Sequence, residues 1–218
     1  MVNKTKIILV RHGQSIGNMT RTFLGHTDLD LSELGYRQAE ATANRLKEEK
    51  IDKIYSSDLK RAMNTAIPHA KIRNIEVVPD KLLREAYAGL WEGMLVDDII
   101  NKWGSEFFTN EWKNNFGCFT FPGGESVFEA GKRFFNEIIK ILGENIGKTI
   151  LISAHAAVIR SFWGIICGVE FDTLATKIPF ATNASYSICY FENGKIIPFE
   201  YSIDAHLADV GITKVNLI

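Results

Sequence analysis

Lys6-Ile7-Ile8-Leu9-Val10-Arg11-His12-Gly13 sets the architecture of this chain. From Lys6 to Val10 the run is apolar and mostly β-branched, with no polar alternation. It ends abruptly on two basic residues and a glycine. A strand buried on both faces has this signature, and such strands belong to parallel sheets covered by helices. Working outward, Leu31-Ser32-Glu33 opens a helix to about Lys50, with Ser32 as its N-cap and Leu31 and Tyr36 placed as a hydrophobic staple. Lys53 to Ser56 is a second strand, and a helix follows from near Asp58, again a cap-type residue. Glu76 to Pro79 and Thr149 to Ser153 are further strands, the latter leading into a helix from Ala156 to about Cys167. Ser185 to Phe191 and Lys195 to Tyr201 form a hairpin around Glu192-Asn193-Gly194.

Strand and helix in alternation give an α/β three-layer sandwich: a mostly parallel central sheet with helices on both faces. Sheets of this kind bind ligands outside the carboxyl ends of their strands, where the strand order reverses. The residues just past Val10, Ser56 and Ser153 are Arg11-His12, Asp58 to Arg61, and His155, so the site is expected there. The segment from about 86 to 146 departs from the alternation. Trp91, Trp103, Phe107, Phe108, Trp112, Phe116, Phe119 and Phe121 crowd it, before a turn at Pro122-Gly123-Gly124 and a long amphipathic helix to about Leu142. It reads as a helical lid insertion within one domain spanning 1–218.

The bulk properties exclude several classes. With 46% hydrophobic and 23% charged residues in 218, the chain has the composition of a folded domain with one good-sized core. A net charge of −1 offers no field for nucleic acid or a membrane surface, and no basic patch with interleaved aromatics suggests nucleic acid. No apolar run approaches the length of a bilayer span. The three cysteines, Cys118, Cys167 and Cys189, are dispersed and show no metal-ligand spacing, as expected of reduced thiols in a cytoplasmic protein. No metal or cofactor is implied. An anionic ligand would be held by a few cations focused in a cleft.

Three clusters supply such cations and a nucleophile. In Arg11-His12-Gly13-Gln14-Ser15, with Asn18 close behind, His12 stands beside an arginine at a strand end. Neighbouring positive charge disfavours the imidazolium and keeps the ring a neutral nucleophile suited to phosphorus. Gly13 would let the backbone approach a phosphoryl group. Arg61 lies one turn into a helix, where its fork and the helix N-terminus can address one anion. His155 ends a strand and opens a helix. Each cluster alone has an ordinary structural explanation, as a solvated turn, a surface ion pair or a core histidine. Their convergence on one sheet edge does not. Glu85, after the Glu76–Pro79 strand, is the candidate proton donor for a leaving alkoxide, because a bound phosphate dianion favours its protonated form.

Taken together, Arg11-His12-Gly13, Ser57-Asp58-Leu59 with Arg61-Ala62 and Thr65-Ala66, Glu85 with Gly89-Leu90-Trp91-Glu92-Gly93, Pro122-Gly123-Gly124-Glu125-Ser126, and Ser153-Ala154-His155 resemble the histidine phosphatase superfamily, the branch of cofactor-dependent phosphoglycerate mutases and their phosphatase relatives. The resemblance implies that His12 is phosphorylated, that Glu85 serves as acid and then base, and that Arg11, Arg61 and His155 bind the phosphoryl oxygens with help from Asn18. Gly13, Gln14 and Ala156, with Asn18, are the expected substrate-binding residues beside them. Two departures stand out: Ala156-Ala157 follows the second histidine where the family usually has glycine, and Gln14 stands where it often has glutamate.

Mutase and phosphatase share the phosphohistidine and differ in the acceptor. The text after Glu85, Ala86-Tyr87-Ala88-Gly89-Leu90-Trp91, is closer to the phosphatases. The expected activity is therefore metal-independent hydrolysis of a small phosphomonoester, with a cofactor-dependent phosphoglycerate mutase as the alternative. A catalytically silent phosphate-binding protein is disfavoured because every position is filled. The aromatics from Trp103 to Phe121 are expected either to face an apolar leaving group or to form the core of the insertion.

Overall fold

The computed structural model describes residues 4–213. Its centre is a six-stranded sheet built from β1 (Thr5–Arg11), β2 (Lys53–Ser56), β3 (Val77–Pro79), β4 (Thr149–Ala154), β5 (Tyr186–Glu192) and β6 (Lys195–Ile203), in the order β3-β2-β4-β1-β5-β6. The four strands from β3 to β1 are parallel, and β5 and β6 add an antiparallel pair to the β1 edge. The expected three-layer α/β architecture is the one observed.

Alternate residues of β1 explain the layering. Ile7 and Leu9 join one core, and Ile8 and Val10 the other, as a period of two requires of a strand covered on both faces. Around the sheet lie α1 (Ile16–Thr20), α2 (Glu33–Arg45), α3 (Lys60–Arg73), α4 (Val96–Trp103), α5 (Val127–Glu144) and α6 (Ala156–Ile166). Ala66 and Ala70 of α3 pack with Ile8, Ile54 and Leu151 on one face. Phe134, Ile138 and Ile141 of α5 and Val158 and Phe162 of α6 pack with Ile7, Leu9 and Ile152 on the other. The register brings Arg11 level with Ala154 and Ser56 level with Ser153, so β1, β2 and β4 end together.

Several boundaries differ from the sequence expectation. Ser32 caps α2 by accepting from the Gly35 amide at 3.1 Å, but the helix ends at Arg45, five residues early. Tyr36 turns outward, 43% exposed, and its hydroxyl donates to Asp30 in place of a staple. The helix α3 starts at Lys60, not at Asp58, whose carboxylate accepts two bonds of 2.6 Å from Arg84. The Lys60 amide donates instead to Asp28 at 2.7 Å, a cap delivered from a distant loop. The hairpin turn is Asn193-Gly194, both at positive φ, the two-residue form that matches strand twist. In the tail, His206 hydrogen-bonds Thr42 at 2.9 Å, and residues 214–218 lie outside the described ones.

The insertion divides in two. Its last part, α5, belongs to the helical layer beside α6, so the segment standing over the strand ends is the aromatic one. Trp91, fully buried, is its hub: Phe23, Trp103, Phe108, Trp112, Phe119 and Phe121 surround it at 5.2–6.1 Å between ring centroids. Mostly edge-to-face contacts of this kind fix the segment against the main core, with which it is continuous.

Candidate active site

Beyond the aligned ends of β1, β2 and β4, a cleft opens between the strand ends and the aromatic segment. Arg11, His12, Asn18, Arg61, Glu85, Ala156 and Ala157 line its floor. Thr22, Phe23, Leu24, Trp112, Phe121 and Phe180 line its wall. Four of the five residues expected to carry chemistry thus meet in one cavity. The fifth, His155, is fully buried and stands against His12, ring centroids 5.2 Å apart and planes inclined at 59°. Neither of its ring nitrogens has a hydrogen-bond partner among the described residues.

His12 is held in one tautomer. Its Nδ1 lies 2.7 Å from the Gly13 carbonyl oxygen, which can only accept, so Nδ1 carries the proton and Nε2 the lone pair. Burial, then Arg61 and Arg11, push the His12 imidazole well below its usual range. Burial and Arg61 do the same to His155. Both rings are neutral at physiological pH, which is the nucleophilic form. The two arginines are also pulled down by burial, to about 10, and remain charged.

The arginines are anchored by backbone carbonyls. Arg11 donates to Ala181 at 2.5 Å, and its buried Nε has no hydrogen-bond partner among the described residues. Arg61 donates to Gly25 at 2.7 Å and Thr27 at 2.9 Å. The loop providing those carbonyls is tied down by Glu92, whose carboxylate accepts from the amides of His26, Thr27 and Ala88 and from the Thr27 hydroxyl. A carboxylate forming four such bonds fixes the loop, and through it the guanidinium.

Glu85 sits at the N-terminus of α6. Its carboxylate accepts from Ala157 at 2.9 Å and Val158 at 3.2 Å, and from its own neighbour Ala86 at 3.0 Å. Free amides at a helix start are where an anion is held best. Those two α6 amides are therefore engaged by Glu85. Asn18 closes the α1 cap and also accepts from Asn183 through Oδ1, so its amide NH2 is the end left for a ligand.

Two flanking expectations change. Gln14 does not line the cleft: its side chain accepts from Ser32 and its amide donates to Gln38, so it fastens the strand end to α2. Gly13 does not line it either, and is required for a different reason. A Cβ there would lie 2.4 Å from the Gly35 carbonyl oxygen, so the glycine permits β1 and α2 to touch backbone to backbone.

Residues 22–27 and Phe180 were not singled out in the sequence, nor were His26 and Arg133. The loop carries no titratable pattern apart from His26, and only the folded chain brings it under the aromatic segment.

With the geometry in place, comparison with known proteins is decisive. The family model of the histidine phosphatase superfamily (branch 1) matches residues 7–202. The chain belongs to the histidine phosphatase superfamily. Phosphoserine phosphatase 1 of Hydrogenobacter thermophilus is 33% identical over 94% of this chain and 95% of its own length. A 2,3-bisphosphoglycerate-dependent phosphoglycerate mutase of Chelativorans sp. is 32% identical over 81% of this chain and 87% of its own. Among solved structures, a phosphoserine phosphatase of Entamoeba histolytica in complex with 3-phosphoglyceric acid superposes with a TM-score of 0.80 at 27% identity, covering 93% of this chain and 99% of that one. These relatives include phosphoserine phosphatases and a phosphoglycerate mutase. Among the described residues no helix is long and apolar enough to cross a membrane.

Proposed function

We propose that the chain hydrolyses small phosphomonoesters, without a metal, through a phosphohistidine on His12. The observation that carries this reading is the 2.7 Å bond from His12 Nδ1 to the Gly13 carbonyl, which directs the Nε2 lone pair to the reaction. Nε2 attacks phosphorus, a P–N bond forms and the ester P–O bond breaks, and the leaving oxygen takes a proton from Glu85. Water then attacks the phosphohistidine and gives its proton to the Glu85 carboxylate. The P–N bond breaks and inorganic phosphate departs. Arg11 and Arg61 neutralise the equatorial oxygens, a role metal ions fill in other phosphoryl-transfer enzymes. His155, with unpartnered ring nitrogens, is available to a phosphoryl oxygen once one is bound.

Water is the favoured acceptor. A mutase acting on a phosphoglycerate has a carboxylate to hold, and among the described residues the cleft lining offers no lysine and no arginine other than Arg11 and Arg61. A buried carboxylate without a partner is costly. The same wall suits an apolar or flat leaving group; of the aromatics from Trp103 to Phe121 only Trp112 and Phe121 line it, while Trp103, Phe107, Phe108, Phe116 and Phe119 pack in or against the core.

The test is hydrolysis of p-nitrophenyl phosphate in EDTA, by wild type and His12→Ala, with 3-phosphoglycerate isomerisation assayed alongside. Expected is EDTA-resistant hydrolysis that falls at least ~1000-fold in the variant, without isomerisation, as loss of a covalent nucleophile demands. Dominant isomerisation would make the chain a mutase. Glycerol phosphates and O-phosphoserine, the latter named by the relatives, complete the panel. Equal efficiency on aryl and glycerol esters would overturn the apolar leaving-group assignment.

A further inference from the structure

Arg133 projects from α5, seven residues beyond its Ser126 cap, and its guanidinium uses all five of its donors. Nε donates to Glu125 Oε1 at 3.0 Å and one Nη to Glu125 Oε2 at 2.9 Å. The same Nη reaches the Glu85 carbonyl at 3.1 Å, and the other Nη reaches the carbonyls of Leu82 at 2.8 Å and Arg84 at 3.0 Å. One side chain thus gathers three carbonyls of the loop that ends in Glu85. His26 Nε2, 2.8 Å from the Glu85 carbonyl, supports the same point from the other side.

Glu125 completes the clamp by accepting from the Tyr87 amide at 2.9 Å, just past Glu85. The Pro122-Gly123-Gly124 turn packs where it must for this to happen. A Cβ on Gly124 would lie 2.3 Å from the Tyr87 carbonyl oxygen, and one on Gly89 would lie 2.3 Å from that of Pro122. The backbone on both sides of Glu85 is therefore fixed by Arg133 of α5 and by Glu125 just before it, while its carboxylate is engaged by the α6 amides and by Ala86.

We infer that Arg133, held by Glu125, is a positioning residue that sets the distance from the Glu85 carboxyl to the leaving oxygen. This rests on Glu85 acting as the proton donor, and it makes a prediction a merely structural arginine does not. A p-nitrophenolate leaves without a proton, whereas a glycerol alkoxide needs one. Misplacing Glu85 should therefore penalise the alkyl ester selectively, and general acid catalysis of such a step is worth about 100-fold or more.

The experiment measures kcat/KM on p-nitrophenyl phosphate and on β-glycerol phosphate for wild type, Glu85→Gln, Arg133→Gln, Arg133→Lys and Glu125→Gln, each expressed relative to wild type on that substrate. Glu85→Gln should lose about 100-fold more on the alkyl ester than on the aryl one, and Arg133→Gln about 10-fold more. Arg133→Lys should stay selective, because a point charge cannot span three carbonyls and a carboxylate. Glu125→Gln should shift the same ratio by less, and reports even if Arg133→Gln fails to fold. Selective loss in Glu85→Gln with equal losses on both esters in the Arg133 and Glu125 variants would overturn the positioning role alone. No selectivity in Glu85→Gln would remove the proton-donor reading and this inference with it.

Discussion

His12 shows how surroundings set the chemistry of a single residue. Its intrinsic chemistry is that of any imidazole. Here a carbonyl fixes the tautomer, burial removes the water that would stabilise a charge, and two arginines oppose protonation. The sign of the pH effect follows. The folded-state pKa lies below the ordinary value of about 6.5, so the ring stays neutral and nucleophilic as the medium becomes mildly acidic. After correction for ionisation of the substrate's own phosphate, kcat/KM should show no acid limb between pH 7 and 6 attributable to His12. A limb centred at or above the free imidazole value would contradict this. At the same scale, Gly13 was legible as a special position in the sequence, but its partner was not. The clash it avoids is with Gly35, twenty-two residues away.

At the scale of elements, the loop of residues 22–27 has little regular structure and matters through what it holds. Its Gly25 and Thr27 carbonyls orient Arg61, and Glu92 orients the loop. Glu92→Ala would leave three backbone amides without their acceptor, at a cost of about 2–3 kcal/mol in total if water replaces the carboxylate only in part. Expected are a lower Tm and weaker competitive inhibition by inorganic phosphate, by about 10-fold, since Arg61 loses its frame. Glu92→Gln, which can accept through only one atom, should fall between. Unchanged phosphate inhibition in Glu92→Ala would separate the loop from Arg61. The strands and major helices were legible because hydrophobic period and caps are local signals. The early end of α2 and the capping of α3 by Asp28 were not, since a cap delivered from another loop leaves no mark in the neighbouring sequence.

Across the whole molecule, two cores flank the sheet, and the smaller one contains a histidine with no evident catalytic task. His69, fully buried in α3, has no partner for either ring nitrogen among the described residues, and burial, reinforced by Arg73, pulls it down to about 3. Above pH 6.5 it is neutral both folded and unfolded. Below that, the unfolded chain binds a proton that the folded chain refuses until about pH 3. Its share of stability is thus lost as pH falls, by about 1.4 kcal/mol per unit within that window. His12 and His155 act in the same direction. Urea unfolding of His69→Leu should show a pH dependence shallower by about one proton between pH 6 and 4.5, with stability at pH 7 unchanged or raised. An identical slope to wild type would show that His69 does not titrate in this way.

The sequence alone determined the sandwich, because a strand buried on both faces needs unbroken apolar text and alternation with helices forces a parallel sheet. It also determined where the candidate site residues gather, since His12, Arg61 and His155 each follow a strand and the ends of strands converge. Tertiary structure decided what those residues are able to do. The carbonyl frame of Arg61 and the clamp of Arg133 on the Glu85 loop are contacts between segments far apart in the chain, and the burial that keeps His12 neutral comes from the same packing. Only packing sets such distances, and a hydrogen bond exists or fails within a few tenths of an ångström.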